Sequence, residues 1–370
     1  MSDARDSATA SATANSTPIV ASAGAAPITS ASAAAGAANN DAGAAAPVVA
    51  PRAAPWRHCL VIAAVGIGAG LALPDQFGLL ARIAIAGIFV LSLDLIVGYA
   101  GLATLGHAAL FGTGAYAAGL AALRLTAEPF TGLAIGAGAG AVVAGLSALF
   151  LLRYSGFTLL MLTVAVAQIA ASLASKWRDW TGGDDGLSGY QIAPILGVWS
   201  FDLEGRVAYA YALAMLVGCY YLARRLVDSP FGLSLVGIHQ SRARMAALGT
   251  PVRRRLWTIY LVSGVFAGLA GALSAQTNGI VGLDTLSFTW SAEALVMLIL
   301  GGAGRLYGGL IGAALFLALH HTASTINPYH WLFVVGLALM LVVLVPRERV
   351  VGWFVPRARR RPRPSSIGTA

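Results

Sequence analysis

Charge is scarce in this sequence of 370 residues: Asp, Glu, Lys and Arg together make up 11% of it. An ordinary soluble domain carries about 25%. Lysine is nearly missing, with Lys176 the only one, so the net charge of +9 rests on arginine. The arginines stand beside apolar runs, which fits membrane orientation rather than a nucleic-acid surface, and no nucleic-acid partner is expected. Cysteine is limited to Cys59 and Cys219. Both fall in apolar runs without a CxxC spacing and read as small buried apolar residues. The alternating pattern of a transmembrane barrel is missing. Also missing are a GxxxxGK[ST] phosphate loop, an HExxH pair, a GxSxG elbow and a close Cys/His metal set. GGAGRLYGG at 301–309 is Gly-rich but lacks the lysine. The chain has no such loop with which to hydrolyse ATP, and it reads as a non-enzyme that binds no cofactor or metal itself.

What the sequence does hold is apolar length: 58% of it is hydrophobic. Runs of roughly 20 apolar residues cross a bilayer as helices, because backbone amides cannot stay unpaired in lipid. The expected fold is all-α, a polytopic integral membrane bundle of about 10 transmembrane helices, with 8–10 as the range. The spans fall at about 58–73, 79–97, 108–123, 131–152, 157–175, 207–222, 256–276, 290–302, 306–320 and 331–345. In the fourth, Gly132, Gly136, Gly138, Gly140 and Gly145 let a neighbouring helix come close. Residues 1–52 are rich in Ala, Ser, Thr and Gly and cannot bury enough surface to offset the entropy of ordering, so a disordered tail is expected there. They lack the basic start and apolar core of a signal peptide. The transmembrane domain is placed at 53–346, and a basic tail at 347–370.

Arginine placement orients the chain. The loop 224–255 carries seven arginines against Asp228, and the tail from Pro346 carries seven against Glu348. The segment 176–206 reverses the balance, with Lys176, Arg178 and Arg206 against five acidic residues. The loop 224–255 and both termini are therefore expected in the cytoplasm and 176–206 outside, in agreement with an even number of spans.

Few ionisable groups lie within the spans. They are Asp94, His107 and Glu293, with Arg82 near an edge. Burying a charge there costs about 2.5–3.5 kcal/mol on insertion scales, so Asp94 and Glu293 either join helices or serve a solute pathway. His107 is either a satisfied interhelical histidine or a substrate contact. Between them, GYAGLATLGH at 98–107 interrupts an apolar run. Broken helices at membrane depth persist where they face protein or a water-filled cavity. The free amides and carbonyls around Gly98, Tyr99, Gly101 and Thr104 can bind the two charges of a zwitterion; an ordinary turn is the other reading. The pathway candidates are thus Gly98, Tyr99, Gly101, Thr104, His107, Asp94 and Glu293.

The loop stretch PFGLSLVGIHQSRARMAALG at 230–249 reads as a short amphipathic helix. Gly249 is placed to end it, with Pro251 shortly after. By composition it is either a docking surface or a linker whose arginines touch anionic membrane lipid.

Several motifs together resemble one family. GYAGLATLGHAALFGTGAY at 98–116 resembles the signature of branched-chain amino acid ABC permeases. RYSGFTLLMLTVAVAQI at 153–169, followed by TGGDDGLSG at 181–189, resembles the LivM-type rather than the LivH-type subunit. The stretch 230–249 resembles that family's cytoplasmic loop, and LILGGAGRLYGGLIGAAL at 298–315 its late Gly-rich motif. The resemblance runs from about residue 80 to 345, in order.

It implies a permease subunit of an importer for leucine, isoleucine and valine in a bacterial inner membrane. The implied partners are a second, LivH-like permease, two ATP-binding subunits that use the ATP, and a periplasmic solute-binding protein. The implied ATPase-coupling residues are Gly232, Gly237, His239, Arg242, Arg244, Ala246, Leu248 and Gly249. Two positions depart from the family pattern, Leu102 where glutamine is common and Thr104 where serine is common, and HQSRARMAALG lacks the acidic residues often found there. Alternatives are a related importer for urea, short amides or other amino acids, and a stand-alone channel or secondary transporter.

Overall fold

The computed structural model describes residues 55–194 and 205–326, together with Gly336 and Met340. The expected tails at 1–52 and 347–370 lie outside the described residues, as does the expected tenth span apart from those last two positions, both helical.

Helix α1, Pro55–Ala72, stops just before a proline: Pro74 opens a one-turn 3₁₀ segment, Pro74–Gln76. Helix α2, Phe77–Asp94, widens into a π turn at Leu95–Tyr99, and the chain then stays non-helical until α3, Ala108–Arg124. Helix α4, Pro129–Leu151, starts with proline in its first turn, where no backbone donor is needed. Helix α5 is Phe157–Lys176. A compact stretch follows, with the single turn α6, Arg178–Thr181, a 3₁₀ turn at Gly183–Asp185 and the strand β1, Leu187–Ser188. Helix α7 is Arg206–Val227, followed by the short helices α8, Pro230–Gln240, and α9, Arg242–Ala247. Helix α10, Val252–Asn278, leads through β2, Ile280–Val281, and a 3₁₀ turn, Leu283–Leu286, into α11, Phe288–Gly301. Helix α12 is Leu306–Ile326.

Each of the first nine expected spans therefore contains a helix within a few residues of its expected bounds. Six helical stretches among the described residues are long and apolar enough to cross a membrane: Pro74–Tyr99, Pro129–Leu151, Phe157–Lys176, Arg206–Val227, Val252–Asn278 and Leu306–Thr325. Trp56–Ala72 and Phe288–Gly301 are shorter apolar helices. The fold is an all-α, polytopic membrane bundle whose only described strands are β1 and β2, paired antiparallel through Leu187↔Val281 and Ser188↔Ile280.

Helix α10 sits against α2, α3 and α4, and its glycines let the backbones meet. A Cβ on Gly268 would overlap the carbonyl oxygen of Gly136, and one on Gly271 would overlap that of Phe111. Close approach of this kind maximises van der Waals contact where lipid supplies no hydrophobic drive between helices. In α4, Gly136 and Gly140 face this seam and Gly132 meets Gln276; nothing lies within 4 Å of a Cβ on Gly138, and one on Gly145 would meet only Leu261 and Trp257, at 3.8 Å. Enclosure divides the helices: 83% of the apolar window in Pro74–Tyr99 is buried, against 22% in Phe157–Lys176. The first is the core of the bundle, and the second presents side chains such as Phe157 and Ile169 outward.

Two ends can be told apart by charge. The acidic end joins Arg124 to the Asp179 carbonyl (3.2 Å), Gln276 Nε2 to the Pro129 carbonyl (2.7 Å) and Tyr190 Oη to the Ala275 carbonyl (2.8 Å). The arginine-rich end carries α8, α9 and the loop between α11 and α12.

Candidate functional site

At the arginine-rich end, α2 loses its regular winding between Leu95 and Tyr99. The chain then doubles back. Gly101 takes φ +70°, a left-handed backbone that glycine adopts without a Cβ penalty. The segment returns along α2 until His107 Nε2 reaches Ser92 Oγ at 2.8 Å. Seven residues separate Ser92 from Tyr99, about 10 Å of helix, so α3 begins inside the bundle. The freed backbone is satisfied by neighbours: Leu105 N donates to Thr163 Oγ1 (3.2 Å), and Ala108 N, at the start of α3, donates to Ser291 Oγ of α11 (2.8 Å). This is the condition under which a broken helix survives at membrane depth.

His107 is wholly buried. The hydroxyls of Ser92 and Ser263 both donate to backbone carbonyls, Ser92 to Phe89 O (2.6 Å) and Ser263 to Ser92 O (2.6 Å). Each therefore offers a lone pair to His107 Nε2, at 2.8 and 3.3 Å, so Nε2 carries the proton. The ring stacks on Phe89, with centroids 5.5 Å apart. Thr104, also buried, accepts from Gly106 N at 3.4 Å.

Asp94 and Glu293 occupy different surroundings. Asp94 is fully buried, and its Oδ1 accepts from Gly304 N in the α11–α12 loop at 2.7 Å. Gly98 makes room for that contact, since a Cβ there would overlap both Asp94 Oδ1 and Gly304 N. Tyr99 is buried in the same core. Of the seven pathway candidates, Glu293 alone lines the large cavity described below.

The stretch 230–249 forms two helices rather than one continuous helix. Ser241 leaves helical geometry (φ −161°, ψ 106°), and its Oγ accepts from Arg244 N at 3.3 Å, which caps α9. Ser229 caps α8 in the same way. The two fold together as Met245 packs on Gly237, where a Cβ would stand 2.7 Å from the Met245 sulfur. Gly249, at φ +80°, closes α9 as expected: Gly249 N donates to Ala246 O and Thr250 N to Met245 O, a Schellman arrangement. The inward face of α8 is Gly232, Leu235 and Ile238. His239 Nδ1 lies 3.0 Å from Gly98 O and therefore donates to it. Arg244, Ala246, Leu248 and Gly249 are exposed, and Arg242 is half-buried.

A cavity of about 960 Å³ opens among α2, the end of α10, the β2–3₁₀ segment, α11 and α12. Its charged and imidazole groups are Arg82, Asp284, Glu293, His320 and His321; Ile85, Phe111, Trp290 and Leu317 supply apolar wall. Trp290 stacks on Phe89 at 6.1 Å with the rings 2° from parallel, and Phe111 tilts against both, so aromatic packing separates this cavity from His107. Sequence reasoning noted Arg82 only as an edge charge and passed over Asp284, His320 and His321. The adjacent histidines ending the ninth span were the available signal; for Asp284, which reaches the cavity through a turn, there was none.

The family model described as branched-chain amino acid transport system / permease component matches residues 76–344. The chain is 28% identical over 282 residues to the high-affinity branched-chain amino acid transport system permease protein LivM of Escherichia coli, covering 70% of this chain and 66% of that protein. It is 26% identical over 281 residues to the Salmonella typhimurium LivM, with the same coverage, so the match spans slightly less than two thirds of these relatives. It is also 26% identical over 220 residues to the galactose/methyl galactoside import permease protein MglC of Haemophilus influenzae, covering 56% of this chain and 63% of that protein. No solved structure matches. With the family model spanning most of its length, the chain belongs to the family of branched-chain amino acid transport system permease components.

Proposed function

We propose that this chain is the membrane-spanning permease subunit of an ATP-driven importer for branched-chain amino acids in a bacterial inner membrane. It forms part of the solute path and does not itself hydrolyse ATP. A second permease subunit, two ATP-binding subunits and a periplasmic solute-binding protein complete the assembly. In this reading the chain crosses the membrane ten times, with both termini and α8–α9 in the cytoplasm and the acidic end in the periplasm, a reading supported by the arginine bias of the loop 224–255. The ATP-binding subunits dock on the exposed side of α8–α9, at Arg242, Arg244, Ala246, Leu248 and Gly249.

The observation that carries this reading is the contact of His239 with Gly98. It ties the exposed α8–α9 element to the point where α2 unwinds, so that movement of a bound ATPase reaches the broken segment, to which Gly98, Tyr99, Gly101, Thr104 and His107 belong. Reconstitution with the partner subunits in proteoliposomes tests it: leucine uptake that requires ATP, the binding protein and this chain is the expected result. Uptake without ATP or partners would instead identify a channel or secondary transporter.

A second reading keeps the fold and changes the cargo. It is favoured by the likeness to a galactose/methyl galactoside permease and to the ribose import permease protein RbsC of Bacillus subtilis, 26% identical over 170 residues. Competition of labelled leucine uptake by galactose, ribose, urea and other amino acids separates these cargoes.

A further inference from the structure

The cavity of about 960 Å³ holds three charges without a hydrogen-bond or ion-pair partner among the described residues, Arg82, Asp284 and Glu293. Arg82 is the sixth residue of α2 and Glu293 the sixth of α11. Both lie in apolar helices, Arg82 exposed near the start of α2 and Glu293 half-buried in α11, and a charge in such a helix is costly away from its ends. Asp284 sits on an exposed turn at the edge of the cavity, where water reaches it. Glu293 is half-buried one turn beyond Thr289, on the same face of α11. The stacking of Trp290 on Phe89 puts the start of α11 level with a point seven residues beyond Arg82 on α2, about 10 Å along the helix. Arg82 is therefore nearer the acidic end and Glu293 deeper.

We infer that Arg82 and Glu293 are the recognition pair for a zwitterionic amino acid in this cavity. The guanidinium takes the α-carboxylate with its planar fork of donors, and the Glu293 carboxylate takes the α-ammonium. The aliphatic side chain lies against Ile85, Phe111 and Trp290, which offer apolar wall without further charge. A solute carrying both charges matches the pair; a neutral sugar leaves each charge without its counterpart, which is how a site rejects the wrong cargo. The inference deepens the importer reading and rests on it for the physiological role of the cavity, but the binding chemistry is measurable by itself.

The test uses the full chain in membrane vesicles with Cys59→Ala, Cys219→Ala and Thr289→Cys, the last in the cavity wall. The rate of labelling of the new thiol by a neutral maleimide is followed. Leucine is expected to slow it, whereas leucinol, which lacks the carboxylate, 4-methylpentanoate, which lacks the ammonium, and galactose are not. Arg82→Gln and Glu293→Gln are each expected to raise the protecting leucine concentration about 10- to 100-fold, the loss of one charge-assisted contact. The analogue series needs neither variant, so a misfolded variant does not remove the test. Absence of leucine protection overturns the inference, as does equal protection by galactose or by either singly charged analogue. ATP-driven uptake is measured separately. Uptake without leucine protection overturns this inference alone, and leucine protection without ATP-driven uptake overturns the importer reading alone.

Discussion

The imidazole of His239 rests on the broken part of α2. Its Nδ1 donates to the Gly98 carbonyl across 3.0 Å, and its ring lies 2.9 Å from where a Cβ on Gly101 would stand. One side chain from the loop helices thus touches both glycines of the turn-back. Gly101→Ala is expected to be damaging twice over, through the left-handed backbone, at roughly 1–2 kcal/mol, and through overlap with the ring. ATP-driven uptake should fall while pull-down of the ATP-binding subunits persists; intact uptake would mean that this contact transmits nothing.

Asp94 is predicted to be an anchor for the α11–α12 loop. Asp94→Asn keeps an acceptor for Gly304 N, whereas Asp94→Ala leaves that buried donor unsatisfied. The alanine variant should lose about 1–3 kcal/mol, and the asparagine variant clearly less. Thermal unfolding in detergent compares the two, and equal losses would remove the hydrogen bond from the explanation.

The seam between α4 and α10 should tolerate no added bulk. Gly268→Leu forces apart backbones that meet at Gly136 and Gly140, and overpacking of this kind typically costs about 1–3 kcal/mol. Gly138→Leu, in α4 with nothing within 4 Å of its Cβ, is the matched control. Yield of folded protein after detergent extraction should drop for the first substitution only.

Two sides of α8–α9 should separate docking from folding. Leu248 is 73% exposed, so Leu248→Asp should leave thermal stability within about 0.5 kcal/mol, the usual range for a surface change, while weakening pull-down of the ATP-binding subunits. Gly237→Asp drives a charge into Met245 and should lower both stability and assembly. Retained pull-down in both variants would exclude this face as the docking surface.

Much of this molecule was legible in the chain because the strongest constraint on it acts locally. Transfer of an apolar run of roughly 20 residues into lipid, with every backbone amide paired, determines a helix there; a helix stands within a few residues of each of the first nine expected runs, and six of the described helical stretches are long and apolar enough to cross a membrane. The glycines of 98–107 and the cap at Gly249 declared themselves for the same reason, since backbone freedom is a property of the residue itself. Spacing along one helix could not reveal which residues meet across helices. Asp94 and Glu293 look alike as lone acids in apolar runs, yet helix rotation and packing turn one onto Gly304 and the other into a cavity with Arg82. The break at Ser241 was likewise hidden, because a serine in a polar stretch marks a cap only when its hydroxyl finds the Arg244 amide. The sequence by itself determined the membrane bundle and its interruptions; the partners of His239, Asp94 and Glu293 were decided by tertiary structure, because each depends on close approach of helices remote in the chain.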